Sequence, residues 1–179
     1  LCLLGLFLLA WLVHSRLLSS SLPPLSAVNV PFQTTSFSQY HLTNGDGSNQ
    51  MIDIAFVPNR DALAVSWGTL LGLYRLDPWQ TIWTRQTSSA INDIAPSPDG
   101  ITLAAAMDDA SVTLWRVDSG EIEATLTGFP DWVGSLAYAA DGRTLAAGSN
   151  QIILLWDMTS KQVLRSLQGH RGAIWTLAF

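Results

Sequence analysis

Apolar and polar residues alternate in short runs from about residue 51 onward, and these runs recur at a nearly constant spacing. The segment "MIDIAFVPNRDALAVS" begins at Met51, and similar segments begin at Ile91 and Val133. A shortened copy, "IWTLAF", begins at Ile174, so successive copies start 40, 42 and 41 residues apart. A fixed period of this length indicates a repeat architecture in which each repeat is one supersecondary unit.

Each repeat contains four short runs that are typical of β-strands. In the second repeat the predicted strands cover Ile91–Ala95, Leu103–Met107, Val112–Val117 and Glu121–Leu126. The stretches between them, "SPDG", "DDA" and "DSG", are rich in residues that favour tight turns, and the corresponding breaks in the third repeat are "AADG", "SN" at Ser149-Asn150 and "MTSK". Four antiparallel strands in every ~41 residues are typical of one blade of a β-propeller, a fold with ~4–8 blades.

The third strand of the third repeat is apolar on both faces. Successive side chains of a strand point to opposite faces, yet Ile152 through Leu155 are all aliphatic. A sheet with one face in water would alternate polar and apolar residues, whereas a sheet between two neighbours is dry on both faces. We therefore predict an all-β, incomplete β-propeller of four-stranded antiparallel blades, with three blades and the start of a fourth.

Several short motifs recur in register with this period. They are "SPDG" at 97–100, "ADG" at 140–142, "LW" at 114–115, "LWD" at 155–157 and "GH" at 169–170. With these motifs, the region from Phe32 to Phe179 resembles the WD40 repeat family. The resemblance implies structural roles in the repeat for Asp109, Trp115, Trp156, Asp157, Gly169 and His170. In particular, Trp156-Asp157 would close a third strand, and Gly169-His170 would end an outer strand and turn the chain inward.

The resemblance also implies a hydrogen-bonded chain in each blade, from a turn His through a Ser or Thr and an Asp to the strand-three Trp. Most of its members are replaced in this sequence. In the second repeat the aligned residues are Thr87, Ala105, Asp109 and Trp115. Because a partly satisfied buried polar network is worse than an apolar substitute, we expect these blades to be held together mainly by apolar packing.

The chain opens with an apolar segment, "LCLLGLFLLAWLV", followed by a stretch rich in Ser and Pro. Its 13 residues suit the core of a signal peptide, which needs ~7–15, while a membrane-spanning helix needs ~20. A buried core helix is the less favoured alternative. We predict an apolar helix serving as a signal or transmembrane segment over residues 1–18, a linker over 19–31, and the partial propeller over 32–179.

Charge and composition narrow the range of possible partners and sites. The formal net charge is −5, and the sequence pI is near 4.9, which argues against nucleic acid as a partner. Cys2 is the single cysteine, so an internal disulfide and a cysteine-rich zinc site are excluded. The three histidines lie far apart in sequence. We therefore expect no catalytic residues, no cofactor and no bound metal.

Two functions fit these observations. The first is a non-enzymatic scaffold that binds other proteins and is attached to a membrane through residues 1–18. The alternative is a sensory or recruiting domain of a larger membrane-bound signalling enzyme, such as a kinase. A weaker third idea is a central catalytic site, because Asp53 and Asp93 lie on the innermost strands, although Ser135 and Thr176 take the equivalent positions.

Two further expectations remain open at this stage. The expected location is membrane-anchored or secreted, with the extracytoplasmic side favoured and the cytoplasmic face also possible. Four tryptophans lie outside the motif position, and they either pack between blades or mark a contact surface. These are Trp79, Trp83, Trp132 and Trp175.

Overall fold

The computed structural model describes residues 52–179, and these residues form strands and turns. Eleven strands follow one another along this part of the chain. They are β1 (Ile52–Phe56), β2 (Ala62–Trp67), β3 (Leu70–Arg75), β4 (Gln80–Gln86), β5 (Ile91–Pro96), β6 (Thr102–Met107), β7 (Val112–Arg116), β8 (Ile122–Leu126), β9 (Val133–Tyr138), β10 (Thr144–Asp157) and β11 (Gln162–Ala173). The all-β class and the antiparallel four-stranded sheets predicted from the repeats are confirmed.

The strands pair with their neighbours in the sequence and form three consecutive sheets. The first sheet has the order β1-β2-β3-β4, and the second has the order β5-β6-β7-β8. Equivalent strands keep equivalent registers, since Leu63 is opposite Tyr74 in the first sheet and Leu103 is opposite Trp115 in the second. The repeat in the sequence is therefore a repeat in strand pairing.

The second and third predicted strands of the third repeat both lie within β10, and the sheet has the order β11-β10-β9. The first part of β10 pairs with β9, and its second part pairs with β11. The chain reverses direction within β10, because the N–H of Met158, just after its end, donates to the carbonyl of Arg143, just before its start, at 2.9 Å. The predicted turn at Ser149-Asn150 is therefore present, with a positive φ of 64° at Gln151.

The outer strand β11 also runs further than the motif predicted. Gly169 and His170 lie within β11, which continues to Ala173, rather than ending the strand. Gly169 has a φ of +124°, a conformation that glycine adopts readily, and the pairing skips from Gln168 to Ala173. Beyond β11, residues 174–179 form no strand within the described part of the chain, so the predicted start of a fourth blade has no paired strand there.

The core consists of two apolar layers, one between each pair of adjacent sheets. The first layer joins Leu71, Leu73 and Trp83 to Leu103 and Trp115. The second joins another set of residues from sheets two and three: Ala104, Ala106, Leu114, Leu126, Phe129, Leu136, Leu145, Leu154 and Trp156. The middle sheet is thus buried on both faces, as the strand pattern predicted, and small alanines line much of β6.

The predicted signal or transmembrane segment, its apolar helix and the linker lie outside the described residues. Within residues 52–179, a search for helices long and apolar enough to cross a bilayer finds none.

Candidate interaction surface

The two motif tryptophans occupy equivalent buried positions, each 5% exposed. Trp115 lies in the layer between sheets one and two, and Trp156 lies in the layer between sheets two and three. The ring of Trp156 packs at a tilt against Phe129, with 6.0 Å between ring centroids. Neither indole Nε1 has a hydrogen-bond partner among the described residues. Both rings therefore serve as apolar filling, consistent with the expectation that polar networks are replaced by packing.

The other motif residues lie in separate places and form no common site. Asp109 is exposed in the β6–β7 turn, where its Oδ1 accepts a hydrogen bond from the Ser111 hydroxyl at 2.5 Å. Asp157 ends β10, and its Oδ1 accepts from two backbone amides, those of Thr159 at 2.7 Å and Ser160 at 2.8 Å. These bonds, first that of Ser160 and then that of Thr159, lower the pKa of Asp157. Gly169 and His170 are exposed on β11.

The first two sheets are joined by polar contacts that the motifs did not indicate. The indole Nε1 of Trp83 donates to the carbonyl of Val117 at 2.8 Å, across the sheet interface. Arg85 donates to the carbonyls of Ser119 and Gly120, at 2.7 and 2.8 Å. The strand β4 is thus fastened onto the β7–β8 turn of the next sheet. The repeats in the sequence do not predict these contacts, because Trp83 and Arg85 have no counterparts in the other repeats.

One end of the sheets, where β5 and β9 begin, gathers aromatic and polar side chains. Trp132 immediately precedes β9, and its ring packs against Trp175, with 5.2 Å between centroids and 48° between planes. Trp175 remains 59% exposed. The hydroxyl of Ser149 donates to the carbonyls of Asp131 and Trp132, both at 2.9 Å, and so holds this loop on the sheet.

Carboxylates and amides surround the tryptophan pair. Asp131 is exposed, and its Oδ2 accepts from the Asn150 amide at 3.2 Å. At the start of β5, the Asn92 amide donates to Asp108 at 2.8 Å and to the carbonyl of Val133 at 3.0 Å. We call this surface the aromatic-acidic end, and define it as Asn92, Asp108, Asp131, Trp132, Asn150 and Trp175.

The remaining two tryptophans outside the motif position pack rather than project. Trp83 is buried, and Trp79 stacks on Tyr74 with 5.3 Å between centroids and 10° between planes. Trp79 and Trp83 thus pack within the fold, whereas Trp175 is exposed and Trp132 is half-buried beside it.

The acidic residues considered for a central catalytic site have structural partners instead. Asp53 accepts from the backbone N–H of Ile94, and Asp93 accepts from that of Leu136, each on the innermost strand of the next sheet. At the equivalent position in the third sheet, the Ser135 hydroxyl donates to the carbonyl of Ile174 at 3.1 Å. Over residues 52–179, no group of three or more His, Cys, Asp or Glu side chains is placed to hold a metal.

Comparison with known proteins supports the repeat assignment. The family described as anaphase-promoting complex subunit 4 WD40 domain matches residues 54–131, and the family described as WD domain, G-beta repeat, matches residues 120–157. Coronin-7 from Rattus norvegicus is 32% identical over 187 residues, which cover 92% of this chain and 20% of that protein. U3 small nucleolar RNA-interacting protein 2 from Homo sapiens is 31% identical over 102 residues, covering 50% of this chain and 22% of that protein.

Solved structures share the fold. The structure of U3-55K and the crystal structure of RRP9 WD40 repeats each superpose with a TM-score of 0.67 at 20% identity and cover 73% of this chain. The chain spans 43% and 42% of those two structures and about a fifth of the length of the curated relatives.

These relatives correct two expectations. The exclusion of nucleic acid as a partner was wrong, because one matched relative is named for its interaction with a small nucleolar RNA. The net charge of a whole chain does not describe any one surface, so it could not carry that exclusion. The membrane partner and the membrane-anchored or secreted location are likewise corrected, since the name of that relative places it with a small nucleolar RNA. Together, the matches over residues 54–157 and the superposed structures support the WD40 repeat family for this chain.

Proposed function

We propose that this chain is part of a non-enzymatic WD40-type interaction scaffold that works in an RNA-containing assembly. The observation that carries the proposal is the tryptophan pair in which Trp175 is exposed and Trp132 is half-buried, next to the exposed carboxylate of Asp131. The name of one relative, a small nucleolar RNA-interacting protein, supports the RNA-containing context. WD40 repeats in general serve binding rather than catalysis, which supports the non-enzymatic part.

The chemistry of the aromatic-acidic end favours a basic protein segment as its direct partner. Trp175 presents a large, exposed ring, and tryptophan is among the residues that contribute most to binding energy at interfaces. An arginine can stack on such a ring and also form charge-assisted hydrogen bonds with a nearby carboxylate. Asp108 and Asp131 are both exposed and supply that carboxylate. A cationic chain would therefore meet attraction from both the rings and the charges.

The scaffold can present this surface without a large ordering cost. Ser149 and Asn150 hold the loop of Asp131 and Trp132 onto β10 through three hydrogen bonds. Asn92 similarly bridges Asp108 and the start of β9. A surface that is already organised loses less conformational entropy when a partner binds.

The test is a fluorescence anisotropy titration of the protein against a labelled arginine-rich peptide, a matched acidic peptide and a labelled single-stranded RNA. We expect the arginine-rich peptide to bind and the acidic peptide to fail. Replacing Trp175 by Ala should weaken peptide binding about 30-fold, corresponding to a ~2 kcal/mol interface residue. Asp131→Asn should weaken it less, and its effect should shrink as salt is added.

Matched controls separate this surface from general effects. Ile122→Ala removes another exposed apolar side chain, 57% exposed on β8, and Asp141→Asn removes an exposed charge from the β9–β10 turn. Neither should change peptide affinity. If Trp175→Ala binds the peptide as well as the controls do, the proposed surface is wrong. If the RNA binds directly and the peptide does not, the direct partner is the nucleic acid rather than a basic protein segment.

A further inference from the structure

A buried carboxylate fastens the first sheet to the second at their innermost strands. Asp53 is 8% exposed on β1. Its Oδ1 accepts from its neighbour's backbone N–H, that of Ile54, at 2.8 Å, and its Oδ2 accepts from the N–H of Ile94 on β5 at 2.8 Å. Hydrogen bonds to a charged acceptor are roughly twice as strong as neutral ones, so this side chain is an effective link between two sheets.

A second carboxylate repeats the link one sheet further on. Asp93, on β5, accepts from the backbone N–H of Leu136 on β9 through its Oδ2 at 2.6 Å. The Oδ2 of Asp53 reaches the N–H of Ile94, the residue that follows Asp93, so the two carboxyl groups are neighbours. The two aspartates therefore connect three sheets in series.

Two neighbouring carboxyl groups in a buried position cannot both be ionised without a large cost in free energy, and a proton on one of them removes that cost. Burial first, and then the negative charge of Asp53, raise the pKa of Asp93 well above 3.8, while the amides of Leu136 and Ile94 act in the opposite direction. The raised pKa therefore favours a proton on Asp93.

The other groups around the pair are uncharged. Asp53 is the charged group that faces Asp93, from β1. Across the strand pairing, Ala106 on β6 is opposite Asp93, and Ser66 on β2 is opposite Asp53. The β9 side contributes the Leu136 amide and, next to it, the Ser135 hydroxyl, whose own bond goes to Ile174. A cation that would neutralise both carboxylates is thus not among these neighbours.

We propose that Asp93 keeps a proton beside Asp53 and that the two side chains form a pH-dependent latch that joins the three sheets at their inner strands. The folded chain binds this proton more tightly than the unfolded chain, in which the pKa of an aspartate is near 3.8. The stabilisation is therefore complete below about pH 4 and is lost as the pH rises through the raised folded pKa of Asp93. The sheets are joined most firmly in mildly acidic solution and loosen as the proton leaves.

The experiment is urea unfolding of the whole chain at a series of pH values from 4.5 to 9, followed by circular dichroism. The unfolding equilibrium constant of the wild type should rise with pH by at most tenfold per pH unit, the limit for one proton. Asp93→Asn should remove most of this rise, because its amide can donate to Asp53 while its carbonyl oxygen accepts from Leu136. At high pH the variant should be more stable than the wild type.

Asp141→Asn is the matched control. Asp141 is exposed and accepts from the backbone N–H of Arg143 at 2.9 Å in a surface turn, so its loss should leave the slope with pH unchanged. Infrared spectroscopy of the wild type supplies a readout independent of how the variants fold, since a protonated carboxyl has its own C=O band. The latch is overturned if no such band remains once the exposed carboxyl groups are ionised, or if Asp93→Asn keeps the wild-type slope.

Discussion

Gly120 tests whether the contact between the first two sheets is as tight as its geometry indicates. This residue lies in the β7–β8 turn with a φ of +64°, directly against the ring of Trp83. A Cβ added there would lie 2.6 Å from Cδ2 and 2.9 Å from Cγ of that ring. The ring is fixed by its hydrogen bond to the Val117 carbonyl and by the guanidinium group of Arg85, which lies over it, 5.8 Å from the ring centroid. It has little freedom to move away.

The expected cost of Gly120→Ala has two parts. A left-handed backbone conformation costs a non-glycine residue ~1–2 kcal/mol, and the smaller entropy of the unfolded Ala chain offsets ~0.4–1 kcal/mol of that. Forcing an extra methyl group into a packed interface adds ~1–3 kcal/mol. Gly120→Ala should therefore lower the free energy of unfolding by about 2–4 kcal/mol, measured by urea unfolding with circular dichroism.

Gly142→Ala is the matched control, because Gly142 has nearly the same φ, +69°, but a Cβ there would meet only Pro98, at an ordinary 3.6 Å. It carries the backbone cost alone, about 1 kcal/mol. In a Trp83→Ala background the two glycine substitutions should cost the same, and the difference between backgrounds is the coupling between Gly120 and the ring. If Gly120→Ala is no worse than Gly142→Ala in the wild type, the close packing of these sheets is refuted.

Two further outcomes follow from the same contacts. Trp83→Phe should destabilise the fold more than Trp115→Phe, by about 1–3 kcal/mol in urea unfolding. The first change leaves the buried Val117 carbonyl without its donor, whereas the second removes an indole N–H that has no partner in the described structure. Equal losses of stability in the two variants would contradict this reasoning. Asp157 has a pKa below 3.8 in the folded chain, so its stabilisation is present above about pH 4 and is lost as the pH falls. The advantage of the wild type over Asp157→Asn in thermal unfolding should therefore shrink on acidification, and a gap that stays constant from pH 7 to pH 2.5 would contradict the assignment.

The repeat pattern predicted the strands well because strand pairing in each sheet is local. The expected strand Leu103–Met107 is observed as Thr102–Met107, and the expected Val112–Val117 is observed as Val112–Arg116. Short turns leave consecutive strands little choice of partner, so the apolar alternation alone sets the register. The predicted turn at Ser149-Asn150 follows the same rule, since the backbone bond from Met158 to Arg143 shows that the two halves of β10 lie side by side.

The outer contacts between sheets could not be predicted from this pattern, since they join side chains that do not recur, unlike Asp53 and Asp93 on the inner strands. Strand register makes Trp83, Ala124 and Arg165 equivalent, because each is opposite the residue that precedes the motif aromatic. A tryptophan, an alanine and an arginine share no chemical property that an alignment of repeats could reveal. The aromatic-acidic end could be predicted only in part, because residue type singled out Trp132 and Trp175 but did not indicate that their rings pack together.

The replacement of polar networks by packing has a consequence for how the three sheets are held together. Within each layer, rings such as Trp115 and Trp156 contribute area without hydrogen bonds, and dispersion and apolar burial have no preferred direction. Such layers alone would allow adjacent sheets to slide. Directional links are supplied at the inner strands by Asp53 and Asp93, which occupy equivalent positions in their repeats, and toward the outside by side chains that do not recur, such as Arg60, Trp83 and Arg85. The relative placement of the sheets, and with it the geometry of the aromatic-acidic end, therefore depends on these polar contacts rather than on the motif tryptophans.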